Sequence, residues 1–91
     1  MEKANALRTL GRARHAQGQP AAAMEPLKQA LEIDRETGDP RKILADLADL
    51  SRAAEASGNA AAARDYKERG LAVSRAMNGG RSAPPEAALT R

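Results

Sequence analysis

The 91-residue chain contains no cysteine, phenylalanine or tryptophan, and Tyr66 is its only aromatic side chain. The absence of cysteine excludes disulfides, thiol nucleophiles and zinc–thiolate sites. Because aromatic residues are almost lacking, alanine and leucine must form most of the core, which is expected to be small. No apolar run approaches the ~20 residues that cross a bilayer, and residues 1–10 lack the apolar segment of a signal peptide. The sequence therefore predicts no membrane insertion and a cytoplasmic location.

Signatures of catalysis are also missing. His15 is the only histidine, and no serine stands at a spacing from it that suggests a nucleophile and its base. The two glycines after Asn78 lack the lysine and the following helix of a phosphate-binding loop. Two pairs of carboxylates lie one helical turn apart, but such pairs are usually solvated beside lysine or arginine rather than bound to a metal. These pairs are Asp46 with Asp49, and Asp65 with Glu68. We therefore expect no catalytic residue, no cofactor and no metal, and predict that the chain is not an enzyme.

The charges are balanced and evenly spread along the chain. Fifteen basic and 12 acidic residues give a net charge of +3, and no basic tract concentrates them. A nucleic-acid-binding domain usually carries a basic patch, with aromatic side chains where it binds single strands. Nucleic acid is therefore the least favoured class of partner, and the mixed charges indicate solvated helix faces.

The chain repeats itself at a spacing of 40 residues. The matching positions are Ala4 and Leu44, Leu7 and Leu47, Leu10 and Leu50, Ala13 and Ala53, Gly18 and Gly58, Ala23 and Ala63, Leu31 and Leu71, and Ile33 and Val73. A fixed period of this size indicates stacked structural units, each of which buries its apolar face only against its neighbour. The repeat therefore favours a binding scaffold over a catalyst.

Residues that start and end helices divide the chain into four predicted helices. Gly18, Gly38 and Gly58 stand where helices should end, and Asp39 followed by Pro40 is a typical helix start. The predicted helices cover about residues 4–17, 20–36, 40–57 and 60–77. No strand is predicted, because apolar and polar residues nowhere alternate.

The short connections predict two antiparallel helical hairpins in one domain over residues 1–78. The hairpins cover about residues 4–37 and 40–77, and residues 79–91 are predicted to be a disordered, flexible tail. Pro26 falls inside the second helix, where it removes a backbone hydrogen bond. We favour a continuous, kinked helix over a separate first turn.

Each helix carries a stripe of residues at three- and four-residue steps that is predicted to face the core. The stripes are Ala6, Leu7, Leu10, Ala13 and Arg14 in the first helix, Ala23, Leu27, Ala30, Leu31 and Asp34 in the second, Leu44, Leu47, Leu50 and Ala54 in the third, and Ala63, Tyr66, Gly70, Val73 and Met77 in the fourth.

The order of large and small residues in these hairpins resembles the tetratricopeptide repeat family. The residues that carry the resemblance are Leu7, Leu10, Gly11, Ala23 and Leu27 in the first unit, and Leu47, Leu50, Ser51 and Ala63 in the second. Arg14 and Ala54 stand where the family usually has an aromatic residue, and Lys67 stands where Leu27 stood. The resemblance covers residues 4–77 and is to the long-period variant of the repeat. It implies an all-α fragment of a right-handed solenoid that binds other proteins.

The resemblance also implies a peptide-binding groove, lined by the first helix of each hairpin. The residues predicted to line it are Asn5, Arg8, Arg12, His15, Arg52 and Glu55. Guanidinium groups held in a fixed geometry suit carboxylates. We therefore predict a weakly basic concave groove that binds an acidic peptide, a C-terminal carboxylate or a partner helix. A solvated face in which Glu55 neutralises Arg52 is an equally good interpretation.

Two repeats are few for a stack, which usually needs about three and a polar capping helix. The last hairpin should therefore leave apolar side chains uncovered, and the candidates are Tyr66, Leu71, Val73 and Met77. As alternative functions, this predicts self-association, with a homodimer as the simplest form, docking on a partner, or a regulatory piece of a larger protein.

Overall fold

The computed structural model of the chain describes residues 3–78, which form four helices. They are α1 (Lys3–Ala16), α2 (Pro20–Thr37), α3 (Pro40–Ala56) and α4 (Ala60–Asn78). Within residues 3–78 there is no strand, so the predicted all-α fold is confirmed. The predicted tail, residues 79–91, lies outside the described residues.

Glycines and capping side chains set the turns between the helices. The three turn glycines, Gly18, Gly38 and Gly58, all have φ between +76° and +87°. This left-handed conformation ends the preceding helix and strains residues other than glycine. Asp39 accepts hydrogen bonds from two backbone amides at the start of α3, and the Asn59 side chain accepts one from the backbone of α4 at 3.0 Å. The predicted helix ends are therefore confirmed to within one residue.

α2 passes through Pro26 as one continuous helix. The proline ring lies on the buried side of the helix, next to Leu27 in sequence. The prediction of a continuous second helix is thus confirmed.

The two hairpins are stacked on each other. Within the hairpins, α1 packs against α2 and α3 packs against α4. Between the hairpins, α2 packs against α3, and α1 makes a smaller contact with α3. The buried core cluster consists of Ala23, Leu27, Leu31, Leu47, Leu50 and Ala53, with Tyr66 and Val73 packed at its edge. All five stripe residues predicted for α2 are buried. The core therefore lies at the junction of the hairpins.

α1 buries a different face from the predicted one. Its buried residues are Ala4, Arg8 and Gly11, whereas Leu10 is 42% exposed. Gly11 has no side chain, which brings α1 close enough to α2 to touch Leu27 and the backbone of Ala23. The predicted stripe on α1 was wrong because this close approach, and not leucine content, decides which face turns inward.

Gly11 gives a test of that close approach. A methyl group at this position would lie 2.5 Å from Cγ of Leu27 and 3.2 Å from the carbonyl oxygen of Ala23. We expect Gly11→Ala to lower the free energy of unfolding by up to about 2 kcal/mol, because overpacking costs about 1–3 kcal/mol and helix propensity returns roughly 1 kcal/mol. Urea denaturation followed by circular dichroism measures the change.

The matched control is Gly70→Ala in α4. The added methyl would lie 3.9 Å from its nearest neighbours, Leu44 and Leu47, which is ordinary contact. We expect this substitution to raise the free energy of unfolding, by up to about 1 kcal/mol. Equal effects of the two substitutions would contradict the tight packing at Gly11.

Candidate binding site at the seam between α1 and α3

The first charged group at the seam, the inner cluster, consists of Asn5, Arg8, Asp34 and Asp46. Arg8 donates from Nε to Oδ1 of Asp46 and from Nη2 to Oδ2 of Asp34, each at 2.6 Å. Its Nη1 donates to the side chain of Asn5. Arg8 is 9% exposed, Asp34 2% and Asp46 0%. One buried guanidinium thus ties together α1, α2 and α3.

The inner cluster holds two carboxylates for one cation, and within it the burial of Asp46 shifts the pKa of that carboxyl group. Burial, and then the neighbouring Asp34, raises the pKa of Asp46 to about 7, although Arg8 acts in the opposite direction. Oδ1 of Asp46 accepts from Arg8, but its Oδ2 is buried without a hydrogen-bond partner among residues 3–78, so the ionised carboxylate is poorly stabilised there. Burial alone would lower the pKa of Arg8, but its hydrogen bonds and charge interactions with Asp46 and Asp34 raise it. The cluster therefore keeps Arg8 charged and favours the protonated form of Asp46.

The second charged group, the outer cluster, consists of Arg12, Asp49 and Arg52. Arg12 donates from Nε to Oδ2 of Asp49 at 2.7 Å, and Arg52 donates from Nη2 to Oδ1 of the same carboxylate. The Asp49 side chain is 4% exposed, but those of Arg12 and Arg52 are 56% and 63% exposed. This cluster has the reverse composition, two cations for one acid, and its cations face solvent.

The outer cluster borders an open depression of about 380 Å³. Its lining residues are Arg12, His15, Ala16, Asp49 and Arg52. Arg12 and Arg52 each use one guanidinium nitrogen for the hydrogen bond to Asp49. Neither guanidinium has another hydrogen-bond acceptor among residues 3–78. A guanidinium has five N–H donors, so both side chains keep donors for an acceptor in the depression.

The structure divides the residues predicted to line the groove. Arg12, His15 and Arg52 come together at the depression. Asn5 and Arg8 belong to the inner cluster instead, so Arg8 is corrected from a groove residue to a buried one whose three nitrogens bind protein acceptors. Glu55 is exposed and lines a neighbouring cavity between α3 and α4, together with Arg52.

The residues predicted for self-association also differ in exposure. Tyr66 and Val73 are partly buried and pack against the core. Leu71 is 52% and Met77 39% exposed. The last hairpin therefore leaves apolar side chains uncovered, as the shortage of repeats predicted.

The roles of three acids at the seam were not predicted from the sequence. Asp34 was not expected to bind an arginine, and Asp46 and Asp49 were not expected to be buried. The expectation that Asp46 and Asp49 are solvated was wrong, whereas Asp65 and Glu68 are exposed. A usable signal was present: α1 carries two arginines four residues apart, and α3 carries two aspartates three residues apart directly before leucines of its stripe. Residues three or four apart lie on the same face of a helix, so each pair of charges could meet the other where the two helices touch.

No protein-family model, curated protein or solved structure matches the chain. The tetratricopeptide resemblance therefore stays a prediction that depends on the residues quoted for it. Of the four described helices, none has the length and apolar character required to cross a membrane.

Proposed function

We propose that the chain is a tetratricopeptide-like protein–protein interaction module that binds an acidic peptide or a C-terminal carboxylate at the outer cluster. The observation that carries the proposal is one buried carboxylate, Asp49, shared by the exposed guanidiniums of Arg12 and Arg52. The role is one of binding without catalysis, and the cytoplasmic location expected from the sequence is part of the proposal.

The arrangement suits a carboxylate ligand for two physical reasons. The buried acid fixes the positions of both arginines before the ligand arrives, so less side-chain freedom is lost on binding. It cancels only one of their two positive charges, which leaves an excess positive charge at an open surface. A planar guanidinium binds a carboxylate through two parallel hydrogen bonds.

Binding of a short fluorescent peptide that is rich in glutamate and ends in a free carboxylate tests the proposal. We expect Arg12→Gln to lower the affinity about tenfold or more, because a hydrogen bond to a charged group contributes about 1.5–3 kcal/mol. Added salt should weaken binding to the wild type. Fluorescence anisotropy measures both effects.

The matched control is Arg64→Gln, which removes the same charge from an exposed position on α4. It should leave the affinity within about twofold of wild type, since Arg64 does not line the depression and can act on the peptide only through a screened charge effect. A glutamine-rich copy of the peptide with an amidated C-terminus, which carries no carboxylate, should not bind. If Arg12→Gln and Arg64→Gln bind the acidic peptide equally well, the outer cluster is not the site.

A further inference from the structure

The two hairpins are equivalent at a spacing of 40 residues, and this equivalence identifies two uncovered surfaces. α2 and α4 begin at Pro20 and Ala60, and Gly18 and Gly58 share the same left-handed conformation. Within the chain, α3 packs against α2 and thereby covers one side of the first hairpin, which we call its far side. Among residues 3–78, no helix covers the equivalent side of the second hairpin, and none lies outside α1.

The far side of the second hairpin is the receiving face, defined by Ala48, Lys67, Leu71 and Ser74. These residues line the cavity of about 430 Å³ between α3 and α4. Their counterparts in the first hairpin are Arg8, Leu27, Leu31 and Asp34, which are all buried. Leu31 is 6% exposed, whereas its counterpart Leu71 is 52% exposed. If one more helix followed in the stack, it would occupy this cavity in the same way that α3 occupies the equivalent position on the first hairpin.

The outer side of α1 is the entering face, defined by Ala6, Leu7, Leu10 and Ala13. Three of these match Leu47, Leu50 and Ala53, which α3 buries at 2%, 0% and 0% exposure. On α1 the same pattern is left open: Leu10 is 42% exposed, and Ala6 and Ala13 are exposed. α1 therefore carries two distinct faces: one of Ala4, Arg8 and Gly11 that is buried, and one that has the composition of the α3 contact surface.

The charges at the two faces are compatible with contact between them. The inner cluster joins Arg8, Asp34 and Asp46 across the first junction. Their counterparts are Ala48 and Ser74 on the receiving face and Ala6 on the entering face, all small and uncharged. All three charged positions are replaced together, so this contact would bury none of those charges and avoid their desolvation cost. Lys67, in the position of Leu27, can lay its aliphatic stem on the apolar surface and keep its amine in water.

We propose that copies of this chain associate head to tail, with α1 of one copy seated in the cavity between α3 and α4 of the next. The contact repeats the α2–α3 junction that already joins the two hairpins of each copy. Because the two contacting faces differ, each copy keeps one free face after it pairs, so the contact can continue from copy to copy and does not stop at a symmetric dimer. Arg12 belongs to neither face, whereas Arg52 lines both this cavity and the depression of the peptide site, so the two sites adjoin each other.

Sedimentation equilibrium over a range of concentrations tests the proposal. The average mass of the wild type should rise past that of a dimer as concentration increases. Leu10→Glu should block the entering face, and Leu71→Glu the receiving face, so each variant alone should remain monomeric. An equimolar mixture of the two variants should form a one-to-one dimer, because one intact face of each kind remains. Met77→Glu, at an exposed position whose counterpart Thr37 is also exposed, should associate like the wild type.

Three outcomes would overturn the proposal. A wild type that remains monomeric at about 1 mM would mean that a second copy is not the occupant. A Leu10→Glu variant that still dimerises alone would point to a symmetric contact through α4. A mixture of the two variants that fails to associate, while both keep the wild-type helix content by circular dichroism, would show that the two faces do not meet.

Discussion

The substitution Arg8→Met is expected to lower the free energy of unfolding by about 3–5 kcal/mol, the usual range when one partner of a buried ion pair is removed. Methionine keeps much of the volume but leaves Asp34 and Asp46 buried without their common cation. A domain of this size is often only ~5 kcal/mol stable, so the variant should be largely unfolded in mild denaturant. Urea denaturation of wild type and variant at neutral pH measures the loss.

Two variants separate charge from packing in this result. Arg12→Met removes an arginine that also binds an aspartate, but its side chain is 56% exposed, and its loss should cost less than about 1 kcal/mol. The triple variant Arg8→Met, Asp34→Asn, Asp46→Asn leaves no buried charge in the inner cluster and should recover more than half of the stability lost by Arg8→Met alone. Equal losses for Arg8→Met and Arg12→Met would contradict the burial of the inner cluster.

The stability of the wild type is expected to fall as the pH rises from about 5 to about 8. In the folded chain the pKa of Asp46 is about 7, against an ordinary value of 3.8. The folded state therefore holds a proton that the unfolded state releases, so this contribution to stability is complete below about pH 4 and is lost as the pH passes 7. Each pH unit in between removes about 1.4 kcal/mol, or about 2–3 kcal/mol over the measured range.

The pH measurement should be made in a His15→Gln background, because His15 is the only histidine. Urea denaturation at several pH values then gives the slope, and Asp46→Asn in the same background should remove most of it. The polar groups near Asp46 are Arg8, which donates a hydrogen bond to it, and Asn5 and Asp34, which accept hydrogen bonds from the same Arg8 side chain. Unfolding free energies that are constant or increase with pH in the His15→Gln protein would show that Asp46 is not protonated in the folded state.

Helix positions and the stacking of hairpins could be predicted from the sequence because they depend on local chemistry. Gly38, Asp39 and Pro40 each fix the backbone within one turn, and the structure confirms their roles. The face of α2 could also be predicted, since α2 has one stripe of mostly apolar residues, and both α1 and α3 pack against α2. Such elements need no information about distant residues.

The orientation of α1 and the seam could not be predicted in the same way. α1 has two candidate faces, and leucine marks the uncovered one, while the buried one consists of Ala4, Arg8 and Gly11. Burial of Arg8 is favourable only once Asp34 and Asp46 arrive from two other helices, 26 and 38 residues away in the chain. Hydrophobic periodicity counts such an arginine as solvent-facing, so the partition of the predicted groove residues required the tertiary structure.

The two-residue connection between α2 and α3 also limits how copies of this chain can exchange parts. Two chains can exchange hairpins by domain swapping when the turn between two helices straightens and the helices join into one continuous helix. Here Gly38 holds a left-handed conformation, and Pro40 lacks the amide hydrogen that a continuous helix requires, at a cost of roughly 3 kcal/mol. Each chain should therefore keep its own hairpins, and any larger assembly must be built from closed protomers that touch at their surfaces.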